Sequence, residues 1–169
     1  MDPKNINLVR FQVEVCCTNF MVRGEYEPRG DALVFLNDVN RDSYVFYQAK
    51  LAPMNPVFKM PAIEQAELTV AQTHIHFVSL LNEDTMSRVQ MVQSKRTAVF
   101  YTDCYVIRGD LHVHGEARND DMLENIKSFY PVSNVTVFPL RATTQAPQKH
   151  VPLLALNRTA VVTYHMYSS

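Results

Sequence analysis

Glycine is scarce in this chain, with 4 in 169 residues, and no GxGxxG or GxxxxGK[ST] spacing occurs. A phosphate-cradling loop needs glycines so that backbone N–H groups can approach the anion, so nucleotide binding of that kind is excluded. A surplus of either charge is missing too: 16 Lys and Arg stand against 17 Asp and Glu, a formal net charge of −1. Non-specific nucleic-acid affinity comes mostly from cations neutralising phosphates, so near-neutrality argues against a dedicated polyanion binder. No uncharged apolar run approaches the roughly 18–20 residues that span a bilayer. Met1-Asp2-Pro3-Lys4-Asn5 carries an acid and a proline and leads into no long apolar run, unlike a secretory signal. Three cysteines, two of them adjacent as Cys16 and Cys17, make a poor disulfide framework. A cytoplasmic protein with reduced thiols and no membrane partner is therefore expected. GxSxG and HExxH motifs are absent, and no enzymatic activity or cofactor is expected.

What is present is a core-forming composition, 47% hydrophobic and 20% charged, arranged twice. Val22-Arg23-Gly24-Glu25-Tyr26 recurs 85 residues later as Ile107-Arg108-Gly109-Asp110-Leu111. Thr18-Asn19-Phe20-Met21 precedes the first copy and Thr102-Asp103-Cys104-Tyr105-Val106 the second. Downstream, Tyr44 through Leu51 faces Val135 through Leu140, and Ala71-Gln72-Thr73-His74-Ile75 faces Asn157-Arg158-Thr159-Ala160-Val161. Features in the same order at nearly one offset indicate an internal duplication. Chance similarity between two β-rich stretches is the competing explanation.

Each copy reads as five strands. Phe11–Val15 alternates apolar and polar residues, Phe20–Tyr26 follows, and Glu27-Pro28-Arg29-Gly30 is a turn cluster. Tyr44–Leu51 is aromatic and β-branched, and a closing pair covers Glu67–Val70 and Thr73–Val78. The second copy repeats this with Ala98–Cys104, Tyr105–His114, Asn134–Leu140, His150–Leu156 and Thr159–Tyr167. The expected fold is mainly β: two tandem small five-stranded barrels, at 1–80 and 97–169, joined by a short linker helix at 81–96. Asn82-Glu83-Asp84 would cap that helix, and Lys95 and Arg96 would close it. A further helical turn is expected at Arg118–Ile126. Residues 1–84 carry 7 basic and 11 acidic side chains, a net −4, and residues 85–169 carry 9 and 6, a net +3. Opposite fields on similar modules favour head-to-tail contact; drift after duplication explains the split equally well.

This order of features resembles the Sm/LSm family of small β-barrels, in which a strongly bent sheet has a glycine in its second strand. An acidic, Asn-containing loop follows in that family, and a short Arg-Gly-type motif joins the last two strands. The matching glycines are Gly24 and Gly109, the loop elements Asp31 with Asn37 and Asp121 with Asn125, and the closing motifs Gln72-Thr73 and Asn157-Arg158. The second copy also looks like short bacterial proteins whose role is not established. Those share its Thr102-Asp103, Val106-Ile107-Arg108-Gly109, Asn125, Phe129-Tyr130-Pro131 and Ala155-Leu156-Asn157-Arg158. The resemblance implies Sm-like barrels and a ring-forming habit. An oligonucleotide pocket, if retained, would rest on Asn125 and Arg158, with Asn37 in the first copy. The closing motif departs from the family: Arg158 is followed by Thr159, and Gln72 stands where the first copy would need arginine.

Side chains capable of chemistry are few. His74 and His76, and again His112 and His114, stand two apart, which on a strand presents both imidazoles to one face and to one metal. Glu116 or His165 would have to add a third ligand, and histidines on a solvated strand face are the plainer reading. Cys104 with His112 and His114 would form a nucleophile only in a thiolate-favouring environment. Tyr44, Phe46, Tyr47, Phe129 and Tyr130 are aromatics that stack bases or fill a core. The leading expectation is a non-enzymatic structural or adaptor module acting by protein–protein contacts and self-association. An RNA- or oligonucleotide-binding Sm-like protein and a metal-binding protein are the alternatives.

Overall fold

The computed structural model describes residues 9–113 and 127–167. The first half contributes β1 (Phe11–Cys17), β2 (Phe20–Tyr26), β3 (Ser43–Pro53), β4 (Ile63–Ala71) and β5 (Ile75–Leu80). The second contributes β6 (Lys95–Tyr101), β7 (Tyr105–His112), β8 (Phe129–Pro139), β9 (His150–Asn157) and β10 (Thr163–Met166). The alternation that predicts strands is visible in burial: Tyr44, Phe46 and Ala49 of β3 point inward, while Val45 and Lys50 stay exposed. Two short helices complete the described residues, α1 (Ala32–Leu36) and α2 (Thr85–Arg88). None of the helices in the described residues is long and apolar enough to cross a membrane.

All ten strands belong to one antiparallel sheet, in the order β10-β6-β7-β8-β9-β5-β1-β2-β3-β4. This corrects the expectation of two five-stranded barrels, because the sheet does not close. The reason lies in β5. A strand has two edges, and β5 gives one to β1 and the other to β9, with Phe77, Val78, Ser79 and Leu80 opposite Leu156, Ala155, Leu154 and Leu153. The edge that closure of the first unit would need is used to join the halves. Both halves run in the same sense along the sheet, β5-β1-β2-β3-β4 and β10-β6-β7-β8-β9. The linker helix expected at 81–96 is a single turn, since Val89 returns to an extended conformation and Lys95 and Arg96 already lie in β6. The helical turn expected at Arg118–Ile126 lies outside the described residues.

Gly24 and Gly109 occupy matching places. A Cβ on Gly24 would stand 2.7 Å from the Tyr47 carbonyl oxygen, and one on Gly109 2.6 Å from Val132 Cγ1 and 2.9 Å from the Ser133 carbonyl oxygen. At each glycine the ladder to the next strand slips by a residue. The extra residue opposite is left-handed in both, Gln48 at φ 45° and Asn134 at φ 52°. Such a bulge bends the strand and sharpens its twist.

Each of the two hydrophobic cores draws on both halves. Phe11, Tyr26, Leu36 and Phe46 pack with Phe129, Leu153 and Ala155 of the second half. Phe100, Ile107, Val132 and Leu154 pack with Cys16, Met21, Met54 and Phe77 of the first.

Candidate interaction site

Three polar clamps seal the joint between the halves. Glu14 is 2% exposed and accepts from Arg23 Nε (2.8 Å) and from the Gln148 backbone N–H (2.7 Å). Arg23 also donates to Gln145 Oε1 (3.0 Å) and to the Ala146 carbonyl (3.1 Å), so the β8–β9 loop is strapped across β1 and β2. Thr144 extends the strap, donating to the carbonyls of Pro53 and Met54. Asn157 is the second clamp: its Nδ2 donates to the carbonyls of Gln72 (3.1 Å) and Ile75 (2.8 Å), and its Oδ1 accepts from Thr159 N–H. Asn37 is the third, donating to the Phe129 carbonyl (3.0 Å) and accepting from Phe129 N–H (2.8 Å), as a backbone amide would. The Ile75 carbonyl held by Asn157 is buried, and left unpaired it would cost about 1–3 kcal/mol; the other backbone partners are partly buried.

These placements bear on each residue singled out from the sequence. Asn37, read as an oligonucleotide contact, has both amide groups engaged within the joint. Arg158 is half-buried in the turn after β9, its backbone N–H bonded to the Ser128 carbonyl. Burial pushes the Tyr130 phenol up, and the nearby Arg158 charge opposes that rise. Asn125, His114 and Glu116 lie outside the described residues. The aromatics Tyr44, Phe46, Phe129 and Tyr130 are buried in the cores, which accounts for them without stacked bases.

The two histidines of the first pair do not share a strand, because His74 sits exposed in a 3-10 turn (Gln72–His74) and His76 in β5. His76 Nε2 bonds Thr18 Oγ1 (3.0 Å), and its Nδ1 is buried with no partner. Burial pulls its pKa down, against the opposing charge of Asp103. His112 has both ring nitrogens engaged, Nδ1 with the Val92 carbonyl and Nε2 with Ser133 Oγ, each at 2.7 Å. His165 lies exposed on β10, between the rings of Tyr101 and Tyr167. Among the described residues, no group of three or more His, Cys, Asp or Glu could hold a metal ion. All three cysteines are free and buried, and burial pushes each thiol up, Cys17 to about 11. That is the reverse of what a nucleophilic thiolate needs. Cys104 borders a cavity of about 170 Å³ with Thr18, Met54, Tyr105 and Arg141, small beside the roughly 300–1,000 Å³ of typical ligand pockets.

The surface that stands out is the pair of sheet ends. On β4, Glu64, Gln65, Ala66 and Glu67 are exposed, with Leu68 and Val70 half-buried against the first core. On β10, Thr163 and His165 are exposed, with Tyr164 and Met166 half-buried against the second core. Self-association is expected from the sequence, but the pairing of β9 with β5 inside the chain is not. Its signal was the unalternating run Leu153-Leu154-Ala155-Leu156, which reads as a strand covered on both faces. No known protein family, curated protein or solved structure matches this chain.

Proposed function

We propose that the protein is a non-enzymatic structural module that self-associates head to tail through its sheet edges, acting in the reducing cytoplasm that its three free, buried thiols fit. In this reading the two halves are copies of one Sm-like unit. One observation carries it: within the chain a fourth strand, β9, is paired with a fifth strand, β5, and the ends of the sheet are the other fourth strand, β4, and the other fifth strand, β10. Applying the β9–β5 register to the ends places Thr163 opposite Val70, His165 opposite Leu68 and Met166 opposite Glu67 of a second copy. Unpaired strand edges favour such pairing, and a contact between unlike edges builds a ring if it closes and a filament if it does not. The −4 and +3 net charges of the halves are complementary across that contact. Glu64, Glu67 and the four-residue length of β10 blunt the edges, so the association is reversible, unlike the buried, mostly apolar β9–β5 joint.

The test is light scattering on a sizing column with untagged protein, before and after nuclease treatment. A discrete multiple of 19.4 kDa, without absorbance at 260 nm and weakened by salt, is expected. A monomer at every attainable concentration removes this function. A nuclease-sensitive complex carrying nucleic acid puts the oligonucleotide-binding reading in its place.

A further inference from the structure

We infer that the β3–β4 loop, residues 54–62, is a strap that seats on a second copy of the chain, over Arg108 and the apolar ledge of Phe138 and Leu140. The inference rests on the head-to-tail reading and adds to it a second contact, away from the strand edges.

Within the chain the corresponding strap, residues 140–149, is seen in its seat. The two loops, nine and ten residues between their strands, have the same start. Pro53 and Pro139 end their strands, and Pro61 and Pro147 follow at equal distance. Met54 N–H donates to the Asn19 carbonyl, and Leu140 N–H to the Cys104 carbonyl, both at 2.8 Å. Their surroundings differ. Ala52 and Met54, beneath the seated strap, are each 5% exposed, whereas the matching Phe138 and Leu140 are 43% and 55% exposed. Pro147 is buried and Pro61 exposed.

The unseated loop is also the more apolar one. Val57, Phe58 and Met60 are all exposed on it, where the seated strap has Thr143, Thr144 and Ala146. Three large apolar side chains exposed on one loop, of which Phe58 lies beside Phe20 (ring centres 6.3 Å), and an apolar ledge exposed on the other half are complementary surfaces. Arg108 matches Arg23 in the ladder but faces Val99 where Arg23 faces Glu14. Its guanidinium lies 5.6 Å from the Tyr167 ring centre and is exposed. A strap carbonyl is the acceptor that Arg23 takes from Ala146, and the residue in that place on the first strap is Met60. Lys59 stands where Gln145 supplies a side-chain acceptor, so on the second copy the main-chain acceptor carries the contact and Lys59 turns to solvent.

Two cross-linking pairs test the strap and the edges separately, using a short bis-maleimide; the three native cysteines are buried, and wild-type chain serves as the blank. For the strap, chains carrying Met60→Cys are mixed with chains carrying Arg108→Cys; for the edges, Leu68→Cys is mixed with His165→Cys. A covalent dimer from both mixtures, and from neither variant alone, is expected. Edge cross-linking without strap cross-linking overturns the strap and leaves head-to-tail association standing. No cross-link from either mixture, with a monomer by light scattering, overturns both. Phe58→Ser, with an unchanged circular dichroism spectrum as the check that the fold is kept, should raise the dissociation constant of self-association about tenfold. An unchanged constant overturns the strap, as does cross-linking of Met60→Cys to an added unrelated protein in preference to the second copy.

Discussion

At the scale of single residues, the joint depends on a few buried polar groups. Glu14 holds Arg23 and the Gln148 N–H at once, so Glu14→Ala strands two donors. It should lower stability by about 2 kcal/mol, discounted for the half-exposed Arg23, and open residues 145–148 to proteolysis, read by cleavage mapping. His76 gives a pH dependence. Its folded pKa lies below the ordinary 6.5, chiefly through burial, so the unfolded chain binds its proton first. Its contribution to stability is complete above 6.5 and is lost as pH falls through the folded value. Denaturant midpoints measured on either side of 6.5 should show that fall, and His76→Gln should flatten it. The thiols should resist alkylation in the native protein at neutral pH and all react in denaturant, since burial raises each. Little of this was legible beforehand. In the sequence Asn37 and Asp31 read as loop residues, yet they are the caps of α1. Asp31 accepts from Leu33, Val34 and Gln90 N–H, and the Asn37 side chain crosses to Phe129. Composition and local pattern carry no information about a partner 92 residues away.

At the scale of elements, strand positions were read closely and their neighbours were not. Ten strands were expected and the described residues hold ten, and Phe20–Tyr26 agrees to the residue. Period-two alternation and turn clusters are local, so they survive in the sequence. The two bulges were legible only as glycines. Gly24→Val and Gly109→Val each drive a side chain into the neighbouring strand and should each cost about 3 kcal/mol or prevent folding. Thermal denaturation of the two variants checks this, and a tolerated valine at either position would contradict the close approach. The linker helix failed for a tertiary reason: Gln90 N–H reaches Asp31, and the chain leaves the helical path after one turn.

At the scale of the whole molecule, shared cores imply one cooperative unit. Leu153 and Ala155 complete the first core and Phe77 the second, so neither half buries its apolar surface alone. Calorimetry should show a single transition with equal calorimetric and van't Hoff enthalpies. Two resolved transitions would mean that the halves fold independently. A chain cut within 89–94 should hold together as a complex of its fragments, and either fragment expressed alone should aggregate.

The sequence by itself determined the mainly β class of fold and the rough places of its strands, because each rests on spacing along a few residues. The tertiary structure decided that β5 pairs with β9 and leaves the sheet unclosed. Which edge a strand gives to which neighbour depends on apolar faces meeting across the chain. The pair Phe77 and Leu156 is set by burial on both sides of the sheet, a balance of packing that no local pattern records.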